Sequence, residues 1–547
     1  MPILDPLRGL RTLPLLLLLF TALSLAGCGG GDGENNANPP PTSVVTVAVQ
    51  DIKTLRLSWT DTGQETGYQL FVETPASAAR VAVATLPANT TRHDLEVFLP
   101  DQVHARYILQ ACNAAGCVDA GSAEVQATLL NSAVGYFKSA SPSGQMGKSL
   151  AISADGKTLA VGNPSDDSQL TNSGAVHIFT QGPTGWLAHA VLKADVPGMN
   201  DRFGEALAMS SDGQRIAVGA IGHAQSRGAV YVFDLVNGLW TQQWFQADPF
   251  PWSAQDSARE FGGAVALSGD GSTLAAGRVD GDYTAVVFGQ DGGVWNAQAS
   301  ITATRELDAT AIALSGDGST LVLGRRDAAA AVGTPGVVDV YERTLGAWQF
   351  STQLTASNAG DGDGFGGSVA LSSDGQTIAV GAIFEDGSAT GVNGVQDNGG
   401  LNTGAVYVFA RHGNTWGQEA YIKASNTGNI DGFGHAVSLS ADGNTLAVTA
   451  NDEDSSAQGV GGAQDNDAEY ASGAAYVFRR RGGAWGQIGF VKASNTGAFD
   501  RFGDRAALSG DGRTLAVSAV AEQSAATGIG GDQNDNSSGG SGAVYLY

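Results

Sequence analysis

The sequence predicts an all-β protein: a seven-bladed β-propeller preceded by a small β-sandwich. Three observations predict it. The pattern Ser-x-Asp-Gly occurs seven times in one frame, with Asp155, Asp212, Asp270, Asp317, Asp374, Asp442 and Asp511 separated by steps of 57, 58, 47, 57, 68 and 69 residues. Units of that length hold about four short strands, the size of a propeller blade rather than of a helical hairpin. Each unit carries a first strand, the Ser-x-Asp-Gly turn, a second and a third strand, then a fourth strand after a Trp, so that Trp186, Trp240, Trp295, Trp348, Trp416 and Trp485 share one register. The 77 glycines follow no collagen period and suit many tight turns between short strands.

Residues 1–27 read as a signal peptide: Arg8 and Arg11 precede an apolar run from Leu13 to Leu25, too short for a comfortable transmembrane helix. The quartet Leu25-Ala26-Gly27-Cys28 resembles a bacterial lipobox, which implies cleavage before Cys28 and its lipidation. By the same resemblance, Gly29 implies sorting to the outer membrane or cell surface. Residues 28–42, GGGDGENNANPPPT after the Cys, read as a flexible tether.

Residues 43–130 contain seven short alternating runs, VVTVAVQ, TLRLSW, GYQLFVE, ARVAVATL, HDLEVF, ARYILQAC and AEVQATLL, the pattern of an antiparallel sandwich acting as a spacer. TLRLSWTDTGQETGYQLFVE with Trp59, and ARYILQACNAAGC with Tyr107, resemble a fibronectin type III domain. Ala105 stands where that family has its corner tyrosine, so that hydrogen bond is absent or replaced. Cys112 and Cys117 flank a short turn, and in an exported chain a disulfide between them is expected.

The runs FGGSVALSSDGQTIAVGA and FGEALAMSSDGQRIAVGA resemble the FG-GAP repeat of integrin α-like propellers and their bacterial relatives, over residues 135–547. The units depart unequally: Met146 replaces Phe in the first, Asp308 and Ala309 replace Phe-Gly in the fourth, and Arg278 and Arg325 replace a small residue in the third and fourth. The seventh unit ends after its third strand at Tyr547, while residues 135–140 match the fourth-strand pattern of 489–494. The N-terminal segment is therefore expected to close the last blade, leaving no open edge.

The net charge of −25 excludes nucleic acid as a partner, since phosphates would be repelled. In integrin propellers a calcium loop occupies certain hairpins, but one Asp per Ser-x-Asp-Gly cannot supply six to eight oxygens, so the seven Asp read as turn formers. No catalytic triad, carboxylate pair or His/Cys metal set stands out, which points away from an enzyme. What distinguishes the last three units is a long loop between second and third strands, at 383–403, 451–472 and 520–541, sharing Gly-aliphatic-x-Gly-x-Gln. These loops carry Asp386, Asp397 and Asn398; Asp452, Asp454, Asp465, Asn466 and Asp467; and Asp532, Asn534, Asp535 and Asn536. Two readings stay open: Ca²⁺ or another hard cation on these oxygens, or loops held by side-chain to backbone bonds. The expected function is a membrane-anchored, non-enzymatic binding or adhesion protein whose loop rim takes an extracellular or envelope protein or glycan. The alternatives are a propeller hydrolase acting on glycans and a scaffold in an envelope complex.

Overall fold

A computed structural model describes residues 39–75, 77–140, 144–250, 260–278, 284–302, 308–326 and 335–547. The expected signal peptide, Cys28 and most of the tether lie outside the described residues. The chain is all-β. Its first part is built from β1 (Val45–Asp51), β2 (Thr54–Trp59), β3 (Gly67–Thr74), β4 (Ser77–Pro87), β5 (Arg92–Glu96), β6 (Arg106–Asn113) and β7 (Gly116–Glu124). They form a three-stranded sheet in the order β1-β2-β5 and a four-stranded sheet in the order β4-β3-β6-β7. The alternation that predicts these strands is visible in burial: in β2, Leu55, Leu57 and Trp59 point inward and their neighbours do not. Trp59 meets Tyr68 edge-on at 5.6 Å.

One expected strand is different. The run AEVQATLL ends as strand at Glu124, and Ala127–Leu130 form a single helical turn, α1. Val125 still exchanges backbone hydrogen bonds with Ala105 and His104, the last rungs before the chain turns into the helix. The helical turn drops Leu130 and then Ala133 into the core, both fully buried.

Beyond it the described residues form seven four-stranded antiparallel sheets, labelled I to VII in chain order. Sheet V is representative, with strands Phe365–Leu371, Thr377–Ala382, Ala405–His412 and Thr415–Ile422. Sheet VII has only Phe502–Leu508, Leu515–Ala519 and Ala543–Leu546 from its own end of the chain. Its fourth strand is β8 (Gly135–Phe137), with Tyr136 opposite Tyr545. The first strands of all seven sheets line one common cavity, a propeller-like arrangement.

The Ser-x-Asp-Gly turns explain their own sequence. In each, the Ser hydroxyl donates to the Asp carboxylate at 2.5–2.6 Å. The Asp then accepts a backbone N–H two residues on, as Asp155 does from Lys157 at 3.0 Å. The Gly takes φ of 63–72° in all seven, where a side chain would be strained. The variable residue also has a task. Ala154 N–H donates to Ser211 C=O, Ser211 to Gly269, Gly269 to Gly316, Gly316 to Ser373, Ser373 to Ala441 and Ala441 to Gly510, each at 2.8–2.9 Å, and Asp511 N–H returns to Ala154 C=O at 3.3 Å. That circle of hydrogen bonds requires close approach, and a Cβ on Gly316 would stand 2.0 Å from Ser373 Oγ.

The N-terminal sheets are docked, which corrects their reading as a spacer. Phe98, Leu99, Leu130 and Val134 share one buried apolar cluster with Val460, Val477 and Val491 of sheet VI and its loop. Arg479 Nη1 reaches Asp101 Oδ2 at 3.1 Å, and Lys53, pushed down to about 8 by burial, meets Thr514. Gly489 lies so close to Pro100 that a Cβ would fall 2.5 Å from the ring.

Candidate functional site: the loop face of sheets V to VII

Each long loop folds back along the outermost strand of its own sheet. The shared Gly-aliphatic pair makes a short antiparallel bridge there: Val392 with Ile422, Val460 with Val491 and Ile529 with Phe137. The third position of the motif, Asn393, Gly461 or Gly530, has φ of 56°, 69° or 68°, which Asn and Gly tolerate. The Gln of the motif then clasps the connection entering the sheet. Ser357 Oγ donates to Gln396 Oε1 at 3.0 Å, Ser425 to Gln464 at 2.5 Å, and Ser494 to Gln533 at 2.6 Å.

Under each loop lies a buried ion pair that sequence reading does not single out. Glu385 Oε2 receives Lys423 Nζ at 2.8 Å and the Gly387 N–H at 2.9 Å, while Oε1 receives Tyr421 Oη at 2.8 Å and Asn358 Nδ2 at 2.9 Å. Glu453 pairs with Lys492 in sheet VI, and Glu522 with Lys138 at 2.7 Å in sheet VII. All six side chains are at most 2% exposed. Burial lowers the three lysines from their ordinary range, against the pull of the glutamates. The signal available in sequence is Lys-Ala-Ser-Asn at 423–426 and 492–495, with Lys138 at the matching place in the closing segment.

The expected loop oxygens are mostly occupied by the loops themselves. Asp386 Oδ1 accepts Asn402 N–H at 2.7 Å, and Asp454 Oδ1 accepts Ala471 N–H at 2.6 Å. Asp397 takes both the N–H and the hydroxyl of Ser388, at 2.7 and 2.8 Å, and those bonds hold its carboxyl below the ordinary range. Asn466 does the same for Ser456, while Asp532 and Asp535 accept the N–H of Asn534 and Ser537 at 3.0 Å. Asp452 lies 3.7 Å from Arg501. Among the described residues, no three His, Cys, Asp or Glu side chains come together as a metal site. Asn398 and Asn536 stand exposed at the loop tips.

Asp465 and Asp467 remain. Neither makes a hydrogen bond or ion pair among the described residues, and both line an open cleft of about 630 Å³ with Thr390, Asn426, Thr427 and Gln464. At the next junction, Tyr470 and Phe499 are 60% and 57% exposed, with ring centroids 5.3 Å apart. Phe499 holds φ of 66°, and Ile430, its counterpart one sheet earlier, 70°. A bulky or β-branched residue in that region is strained. Residues 458–461 of the second loop are not free, because Asn131 Oδ1 accepts the Val460 N–H and Val103 packs on Gly461. The Cys112 and Cys117 sulfurs are bonded across directly paired strand positions. Tyr107 Oη donates to Gln102 Oε1 at 2.7 Å beside Ala105.

The FG-GAP repeat family matches the chain at residues 186–233 and 348–409, each span running from the Trp of one sheet to the third strand of the next. No curated protein is significantly similar to the sequence. A solved structure of a candidate 6-phosphogluconolactonase from Bacteroides fragilis aligns with TM-score 0.42 and 14% identity, covering 78% of this chain and 96% of that one. No helix among the described residues is long and apolar enough to cross a membrane.

Proposed function

We propose that the chain is a non-enzymatic binding or adhesion protein that engages an extracellular protein or glycan through the loop face of sheets V to VII. One observation carries the reading: an exposed aromatic pair, Tyr470 and Phe499, the latter held at positive φ, stands one junction along the same loop face from an acidic and amide-lined cleft. Strain at an exposed phenylalanine contributes nothing to packing, and such outliers concentrate at functional sites. Flat apolar rings flanked by carboxylates and amides suit a sugar face or a protein hot spot.

The finer architecture belongs to the same proposal. The closed circle of turn hydrogen bonds supports reading the seven sheets as blades of one ring, and the β1-β2-β5 and β4-β3-β6-β7 order supports a fibronectin type III-like unit. The Leu-Ala-Gly-Cys28 quartet supports a lipid anchor, tested by the membrane fractionation of Cys28→Ala.

The binding test uses a glycan and protein array probed with residues 39–547. Tyr470→Ala and Phe499→Gly should each remove the signal, and Phe499→Gly should at the same time gain about 1 kcal/mol of stability by relieving the positive φ. Binding that survives both substitutions sinks the site, and turnover of a bound glycan sinks the non-enzymatic reading.

A further inference from the structure

The seam where sheet VII meets sheet I holds a concavity of its own, and register shows what sets it apart. On the third strands of sheets II, V, VI and VII, Tyr231, Tyr407, Tyr476 and Tyr545 each stand opposite a valine of the second strand. Their partners on the fourth strand are Phe245, Tyr421, Phe490 and Tyr136, and the ring centroids of each pair lie 4.9–5.5 Å apart. In sheet I the same two places hold His177, opposite Val161, and Val191. Both line a cavity of about 320 Å³, at the lower end of the range of small-molecule sites. Its wall includes Phe179 and Ala188 of sheet I, with Lys138 and Gly528 from the closing segment and loop of sheet VII.

His177 is 5% exposed, and its Nε2 is buried without a hydrogen-bond partner among the described residues. Tyrosines at that place are answered: Tyr407, Tyr476 and Tyr545 donate to Asn358, Asn426 and Asn495 of the connections entering their sheets, at 2.5–2.7 Å. The other two sheets without the aromatic pair leave no such group. Sheet IV sets Asp339 opposite Gln353, whose amide donates to it at 2.8 Å, and sheet III sets Val286 opposite an exposed Ser300. The cation in the cavity wall is already engaged, since Lys138 Nζ donates to Glu522 at 2.7 Å and to Ser541 at 2.6 Å. Burial pushes His177 down to about 4, with Asp166 pulling the other way and Lys193 adding to the fall. The ring is therefore neutral at pH 7 and offers one N–H and one lone pair, not a charge. Such a wall suits a neutral hydroxyl on an apolar ring better than an anion, because a hydroxyl can serve either tautomer as donor or acceptor.

We propose that this seam binds a small phenol, its ring in the place that Phe245, Tyr421, Phe490 and Tyr136 fill in their own sheets and its hydroxyl on His177 Nε2. Calorimetric titration of the full chain with p-cresol, and with p-xylene as the counterpart of the same shape without the hydroxyl, tests it. p-Cresol should bind saturably. His177→Leu should weaken p-cresol about tenfold, the worth of one hydrogen bond, and leave p-xylene within about twofold. Val191→Phe gives sheet I the residue found at that place in sheets II and VI and should abolish p-cresol binding, with Val191→Tyr as the substitute if that variant melts early. No saturable binding by the unmodified chain, equal losses for the two ligands in His177→Leu, or p-cresol affinity unchanged when residue 191 is aromatic would each overturn the proposal.

Discussion

Sheets V to VII and sheet IV solve the same problem differently. In the former, a buried lysine at the end of the fourth strand meets a glutamate from the long loop, and the glutamate also receives an Asn from the preceding connection. Sheet IV has Thr355 at the lysine position and instead buries Arg325 against Asp339 of its own third strand, at 2.7 Å, with Arg325 Nε and Nη2 left without partners among the described residues. Both arrangements bury opposite charges. Only the first satisfies them fully, and only the first ties a loop, a strand and a neighbouring connection together. Desolvation makes a half-satisfied pair weak support for a fold, whereas a fully bonded one fixes a unique arrangement. The long loops are thus buttressed structures whose exposed tips are presented rather than mobile by default.

The largest expected effect is at Lys138, which reaches sheet VII from 384 residues away. Lys138→Met leaves Glu522 buried without its cation and should cost about 3–5 kcal/mol. Chemical denaturation of Lys193→Met is the control. Lys193 pairs with Asp166 at the same place in sheet I but is 18% exposed, so water can partly replace it and about 1 kcal/mol should be lost. Equal losses would break the claim that full burial distinguishes the two.

Next is the sheet IV pair. Ala382 and Tyr407 occupy in sheet V the places of Arg325 and Asp339. Either Arg325→Ala or Asp339→Tyr alone should cost about 3 kcal/mol by stranding a charge, while the double variant should return to within about 1 kcal/mol of the parent. A double variant as unstable as the singles would show that the ion pair is intrinsic to sheet IV.

How much of this is legible in sequence depends on distance and on residue type. The turn motif and the closing segment are readable because the same local pattern recurs: Gly135-Tyr136-Phe137-Lys138 repeats Gly489-Phe490-Val491-Lys492, and β8 does pair with Ala543–Leu546. The docked N-terminal sheets are not readable, since Pro100 against Gly489 joins residues with no shared pattern. The lysine and glutamate networks escape for a different reason. Long charged side chains are assigned to the surface by default, and nothing local marks Glu385 as the partner of a residue 38 positions on. The helical turn at Ala127–Leu130 is missed because an apolar run too short to show its period fits strand and helix alike.

The smallest effect is a dependence on pH. In the connections entering sheets VI and VII, Asp431 and Asp500 are both raised to about 7, first by burial and then by the glutamates beneath the loops, Glu453 and Glu522. Asp454 and Asp467 add to the push on Asp431, and Glu469 to that on Asp500, where Lys138 opposes it. The folded value lies above that of an unfolded Asp, so the contribution to stability is complete below about pH 4 and is lost as pH rises through about 7. Between pH 5.5 and 8 each carboxyl should therefore cost about 1–2 kcal/mol. Asn keeps the acceptor for the Gly428 N–H, which Asp431 holds at 2.8 Å, but cannot ionise. Asp431→Asn and Asp500→Asn should accordingly flatten the fall in melting temperature across that range, and their stability at pH 8 should exceed the parent's. A parent whose stability rises from pH 5.5 to 8, or Asn variants with an unchanged profile, would mean that the glutamates of sheets VI and VII are shielded from these aspartates by their lysines.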